Sequence, residues 1–500
     1  MRAGQVKSSG ATAWARLIRL ELARVMRSGG VTVAAVLLLG LGIHAAWQGN
    51  RRIQAAEDAA AVAETAYRDQ LAHLISRYPP TTEAGELLYY LALPASQPVS
   101  RLSALASGRT EVESANLRIR LLALEGQLYE QETLNPRLAA AGKLDLAFLL
   151  IALIPLFVIA VTYDIVSGER ERGTWDMARL FARPRRLLAG KIGARVILVG
   201  GLVTALALAG AFLVEAPLIG ASPTGIDGGG RAGWAAALVA LHTLFWFALC
   251  LGVATRRRSS TANAMILVGA WVALTFLAPA VLSLANAVLH PVPEALELTV
   301  RQRQGYHEAW DLPPSVTMED FYKDYPEWSD QTVPEDEFTW AWYYAMNHRG
   351  DQAARDASLA YRDVLTQRDE WARRWSLLVP PLATRLALDR LAATDLASQL
   401  AYQDAVRRYH ERLKAHFLPI LFAAAPIPQV DWERVPSFEP AAPAGQASQA
   451  GFPAATALVL ASICVLLVAR IRATRAPGRT EAARFGPTDR AGRRIPGGRR

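Results

Sequence analysis

Six apolar stretches, at residues 30–47, 144–163, 196–219, 234–254, 261–289 and 452–468, constrain this 500-residue chain more than any other feature. A helix of about 20 apolar residues crosses a hydrocarbon core, and inside lipid every backbone polar group has to be satisfied within the segment itself. The stretches therefore predict an all-α, polytopic membrane protein with six transmembrane helices. The fifth is longer than one crossing needs and contains Pro279, so it is expected to tilt, kink or leave the bilayer before its pattern ends. The first does not read as a cleaved signal peptide. No small-residue cleavage pattern follows Trp47, and Gln48-Gly-Asn-Arg-Arg52 comes instead.

Charge sets the expected orientation. With both termini cytoplasmic, the arm 1–29, the loop 164–195, the turn 256–258 and the tail 469–500 hold 27 of the 54 Lys and Arg residues and only 7 acidic groups. The long segments on the opposite side, 48–143 and 290–451, carry 26 basic and 35 acidic groups. The reverse orientation would put the densest Arg clusters on the wrong side of a negative-inside membrane. The net charge of +9 is thus topology plus attraction to anionic lipid, and it needs no nucleic-acid partner.

Between the spans the chain divides as follows. In the arm, Trp14, Leu17, Ile18, Leu22 and Val25 fall on one helical face and Arg16, Arg19, Arg24 and Arg27 on the other, which predicts an amphipathic helix along the cytoplasmic leaflet. Segment 48–143 reads as a periplasmic helical hairpin, 53–77 and 102–132, broken by Pro79-Pro80 and by Pro94 and Pro98. Segment 290–451 reads as a larger periplasmic helical domain. It has an irregular acidic and aromatic stretch at 311–342, then a helical pattern from 351 to 417 interrupted at Pro380-Pro381. Seven of the 13 Trp residues lie in it, at 310, 328, 340, 342, 371, 375 and 432, and packing in a domain without disulfides accounts for them. The Arg-rich tail 469–500 has almost no apolar residues and is expected to be disordered.

Catalytic patterns are absent. Gly142-Lys143 and Gly190-Lys191 lack the following Ser or Thr and the upstream Gly of a phosphate-binding loop. His307-Glu308 has Asp311 where a second zinc-binding His would fall, and no Gly-x-Ser-x-Gly elbow occurs. No catalytic, metal or cofactor residue is assigned. Cys250 and Cys464 lie in spans, so neither frames an external segment. Of the polar residues in or beside the spans, Asp145 and Glu215 fall near span ends, within reach of water, and His242 is the sole mid-span candidate, read as a helix-packing His.

The loop 164–195 carries the most specific pattern: Ser167-Gly168-Glu169-Arg170-Glu171-Arg172-Gly173-Thr174, then Arg183-Pro184 and Gly190-Lys191. It resembles the loop between the second and third spans of ABC-2 family transporter permeases, in which Ser-Gly-Glu-(Arg/Lys)-Glu-x-Gly-Thr precedes a Leu-rich stretch, Pro and Gly-Lys. Trp175-Asp176-Met177 departs from the usual aliphatic stretch. The two large external insertions are similar to those of a branch of that family defined by an uncharacterised periplasmic domain.

The resemblance implies a permease subunit of a bacterial inner-membrane ABC exporter. A separate ABC ATPase subunit would use the ATP, and a second permease subunit, identical or paralogous, would complete the pathway. Gly168, Glu169, Arg170, Glu171, Arg172, Gly173 and Thr174 would form the ATPase-coupling contact, with both charge signs available for complementarity. A periplasmic partner could bind the external domains. The alternative from a different class is a non-transporting membrane scaffold or sensor.

Overall fold

The computed structural model describes residues 10–111, 115–129, 144–181, 184–213, 228–254, 256, 258–442 and 447–475. Six helices in it are long and apolar enough to cross a membrane: Gly29–Arg77, Leu146–Glu171, Arg186–Gly210, Gly230–Ala254, Ser260–Leu289 and Ser448–Arg470. Successive crossings alternate in direction. The described residues therefore have a motif face, holding 164–181, 184–186, 256 and 258–259, and an opposite face holding the segments after α2 and after the fifth span.

Two helices lead in: α1 (Gly10–Met26), and α2 (Gly29–Arg77), which is the first span and then continues unbroken beyond it. After α3 (Ala84–Tyr90) the described residues of the expected helix 102–132, which are 102–111 and 115–129, form short turns, one strand of a small antiparallel pair and one short helix instead. Strands β1 (Leu93–Ser96) and β2 (Asn116–Ile119) pair antiparallel, Leu93 with Ile119 and Ser96 with Asn116. Turns at Arg101–Ala104 and Gly108–Glu111 and the short α4 (Leu124–Tyr129) complete the segment. Tertiary contact overrides helix propensity here. The Tyr402 hydroxyl donates to Ala95 O at 2.5 Å and accepts from Leu117 N at 3.1 Å, so it clasps both strands.

The second span begins at α5 (Leu146–Phe148), passes through a π-helical turn (Leu149–Leu153) and continues as α6 (Ile154–Thr162). Asp145, expected near water, is 1% exposed. It caps α5 by accepting from Phe148 N at 2.7 Å and pairs with Arg385 Nη2 at 2.8 Å. Arginine supplies the neutralisation that water was expected to supply. Pro155 cannot donate to a preceding carbonyl, and the π turn shifts the ladder. The Ala152 carbonyl meets a neighbouring side chain, with Trp271 Nε1 donating to it at 2.8 Å, and the His242 ring lies against the turn with Nε2 3.2 Å from Ile151 O. His242 also sits 3.1 Å from Trp246 Nε1 and 3.3 Å from Thr384 Oγ1, a satisfied packing histidine. Glu215 and the tail beyond 475 lie outside the described residues.

On the motif face come α7 (Ser167–Glu171) and α8 (Thr174–Phe181). The third and fourth spans are α9 (Pro184–Leu213) and α10 (Gly228–Ala254). The fifth is α11 (Ser260–Val272), a second π-helical turn (Ala273–Leu277) and α12 (Ala278–Leu289).

Beyond it lie α13 (Ala295–Trp310) and α14 (Pro314–Asp324), so the acidic and aromatic stretch is partly helical. The long α15 (Trp340–Ser376) starts eleven residues before the expected Asp351, because Thr339 caps it by accepting from Trp342 N at 3.2 Å. Pro380-Pro381 opens α16 (Pro380–Leu391) instead of merely interrupting a helix. A reversal at Ala393, with φ 56°, leads to α17 (Leu396–Phe422), capped by Asp395, and the last span is α18 (Ala447–Arg475).

An aromatic core joins these helices to α3 and β1–β2, with Phe321, Tyr343, Tyr344, Tyr402 and Phe417 buried in it. Trp328 stacks on Phe422 at 5.0 Å, whereas Trp310 and Trp375 are 44% and 46% exposed, so packing explains some of the tryptophans and not others.

One half-buried acid in this region is held away from its ordinary ionisation range. Asp351 accepts from Leu124 N and Glu125 N, both at 2.9 Å, and burial pushes its carboxyl up to about 6 despite those bonds and nearby Lys414. The folded state then holds this proton more tightly than the unfolded chain, where an Asp titrates near ~3.9. Its stabilising effect is complete below the unfolded value and is lost as pH rises through about 6. Asp351→Asn removes this dependence. The stability of the variant relative to the wild type should rise by up to about 3 kcal/mol between acidic and neutral pH, measured by thermal unfolding across that range. A pH-independent difference would contradict the burial of a titrating carboxyl.

Candidate functional site

The motif residues fold as a compact turn because two glycines allow it. Any side chain at Gly168 would come within 2.8 Å of Asp164 Oδ2, and Gly173 adopts φ +71°, a region costly for other residues. The turn directs its two carboxylates toward neighbouring helices.

Glu169 belongs to a buried charge cluster assembled from three elements. Lys191 on α9, with 4% of its side chain exposed, donates to Glu169 Oε1 and lies 3.2 Å from Glu21 Oε1 on α1. Arg195 Nη1 reaches Glu21 Oε2 at 3.3 Å, and its Nε donates to Val161 O at the end of the second span. Arg24 adds a contact to Glu169 Oε1 at 3.4 Å. Burial pushes the Glu21 carboxyl up, but Lys191 and Arg195 outweigh it and hold the group below the ordinary carboxylate range. Close approach of α1 to α9 depends on Gly190, where a Cβ would collide with Leu17 Cδ2.

Glu171 ties the turn to the fifth span. It accepts from Ser260 N at 2.6 Å and from Ser260 Oγ at 2.8 Å, in the first turn of α11, where free N–H groups and the helix dipole favour an anion. Ser167 reinforces the joint through Ser260 Oγ at 2.9 Å and Asn263 Nδ2 at 3.3 Å. The motif therefore clamps α1 and the second, third and fifth spans to one another.

What the clamp holds out is α8. Trp175 turns inward against Ile165, Val166 and Ala254, with the Arg170 guanidinium 5.7 Å from its ring centroid. On the other side Met177 and Leu180 are 62% and 83% exposed, one helical turn apart.

The seven residues expected to form the ATPase-coupling contact, 168–174, do not share one environment. Glu169 is buried and ion-paired, Gly168 is packed, and Glu171 serves as a helix cap; Arg170, Arg172, Gly173 and Thr174 face outward. Charge alternation alone could not separate inward from outward residues, because a two-residue alternation does not match the 3.6-residue period of a helix. Sequence pattern alone does not single out Met177, Leu180, Glu21, Lys191 or Arg195 as contact residues. A signal existed for Glu21, the sole carboxylate among the first 29 residues.

Residues 296–441 match a family model described as a domain of unknown function, DUF3526, which spans α13 to α17 and the segment that follows. No curated protein and no solved structure matches the chain.

Removing one member of a buried, hydrogen-bonded charge group costs ~3–5 kcal/mol because its partners stay buried. Glu169→Gln should therefore loosen residues 164–195, with faster amide exchange and proteolysis there, while Arg172→Ala leaves both unchanged. Equal exchange in the two variants would remove Glu169 from the clamp.

Proposed function

We propose that this chain is the membrane subunit of an ATP-binding cassette exporter of the ABC-2 type, driven by a separate ATPase subunit that docks on α8. The observation that carries the reading is the exposed Met177–Leu180 pair on a short helix that directly follows a turn clamped to three spans and to α1. An apolar pair held on a rigid mount suits a groove on a partner protein, and the outward Arg172 at its edge supplies charge for steering. Movement of α8 would pass through the Glu171–Ser260 joint to the fifth span and through Lys191 to the third and to α1. Two such subunits, identical or paralogous, would open a path between them when the ATPases close.

In this reading the motif face and both termini are cytoplasmic, by the excess of Lys and Arg there, and the matched domain lies in the periplasm of a bacterial inner membrane. ATP is bound and hydrolysed by the partner, and no nucleic acid is involved. The competing scaffold reading gains support if no ATPase gene neighbours this one.

Two experiments test the proposal. Met177→Asp with Leu180→Asp should abolish co-purification of the ATPase and transport, each substitution costing ~2 kcal/mol or more at an interface centre, while membrane insertion persists. Retention of a stoichiometric ATPase by this double variant rejects α8 as the dock. Reporters fused after Arg195 and at the C-terminus should be cytoplasmic, and one at Gly350 periplasmic; a cytoplasmic Gly350 overturns the orientation.

A further inference from the structure

The helical pair formed by the end of α15 and by α16 does not stay outside the spans. Three side-chain contacts fix its depth. Thr384 Oγ1 on α16 lies 3.3 Å from His242 Nδ1, in the middle of the fourth span. Arg385 Nη2 reaches Asp145 Oδ2 at the head of the second span at 2.8 Å, and Arg231 Nη1 near the start of α10 donates to Leu391 O at 3.1 Å.

The outer boundary of the apolar layer is marked by Asp145, and by Trp234 packed against Gly451 at the start of the last span. His242 follows Trp234 by eight residues, which is ~12 Å of helix. Ile151, beside His242, follows Asp145 by six residues, or ~9 Å. Thr384 therefore lies about 10 Å below that boundary. From there α16 climbs outward to Leu391, level with Arg231.

The descending limb agrees. Arg368 O accepts from Asn286 Nδ2 at 3.0 Å, and the Trp371 ring lies 6.3 Å from that of His290, both at the outer end of the fifth span. Ser376 follows two helical turns deeper, and α16 touches the π-helical turn Ala273–Leu277 of the fifth span. The inward face of α16, with Ala383, Ala387, Leu388 and Leu391, is part of the same buried core as the spans.

The outward side of the tip is apolar and uncovered. Trp375 is 46% exposed, Leu377 38% and Leu378 70%, and Phe276 and Leu277, in the π-helical turn that α16 touches, are 44% and 58% exposed. Arg373 and Arg374 lie above the tip and are already paired, with Asp369 at 2.9 Å and Glu370 at 3.0 Å. Their charge is thus satisfied without an anionic headgroup.

We infer that the α15–α16 tip is a re-entrant, lipid-facing wedge: Trp375, Leu377 and Leu378 contact acyl chains of the leaflet around the outer ends of the spans. The depth of Thr384 identifies the occupant. An exposed leucine at that level has hydrocarbon beside it, and a tryptophan just above it suits the interfacial belt. Because the arginines are paired within the chain, the contact does not require anionic lipid.

The full chain in lipid nanodiscs tests this. With Cys250→Ala and Cys464→Ala as background, Leu378→Cys or Leu359→Cys carries a polarity-sensitive fluorophore. Leu359 is another uncovered leucine, 57% exposed, higher on α15. At 378, lipids brominated along the acyl chain should remove most of the emission and aqueous iodide little, in zwitterionic and anionic bilayers alike. At 359 the order should reverse. Trp375→Phe should in addition lower the quenching of intrinsic tryptophan by brominated lipid. Iodide access at 378 without bromine quenching overturns the inference. So does protection from both quenchers when the unlabelled Leu378→Cys variant forms a disulfide between two copies, which would make a second copy the occupant.

Discussion

An ammonium group that is almost wholly removed from water has to be neutralised at its own position, and Lys191 is such a group. The two carboxylates that do this come from elements far apart in sequence, Glu21 on α1 and Glu169 in the motif turn. Neither can leave without stranding the lysine. This requirement fixes the amphipathic first helix against the third span and holds the motif turn in place, and the turn in turn orients α8. The exposed face of α8 is available only because Trp175 and the contacts of Glu169 and Glu171 anchor its other side.

A second polar requirement operates at the opposite ends of the spans. Asp145 is buried where the second span begins, and Arg385 reaches it from a helix more than two hundred residues later in the chain. A carbonyl at the π-helical turn takes its hydrogen bond from Trp271 in a medium that offers no water, and His242 links the fourth span to Thr384 of α16. These polar links, more than apolar packing, specify which helices neighbour one another, because one apolar helix surface resembles another in lipid. They also draw α16 down among the spans, which joins the domain matched as DUF3526 mechanically to the membrane core.

The sequence by itself determined the six spans, since their length and composition are local properties, and it located the motif turn through Gly168, Gly173 and the alternating charges. It also placed the break at Pro380-Pro381, since a prolyl nitrogen cannot continue the hydrogen-bond ladder. Tertiary structure alone decided that the described part of 102–132 is not one continuous helix: Tyr402, remote in sequence, holds two strands that propensity would not favour. Only the fold could turn Glu169 inward and leave Met177 and Leu180 outside, because burial in a short helix depends on neighbours contributed by α1, α9 and α11. The partners of Lys191 and Asp145 were illegible for the same reason. A charge pattern states which signs are present along a chain, whereas pairing in a low-dielectric interior depends on which of them the fold brings within a few ångströms of each other.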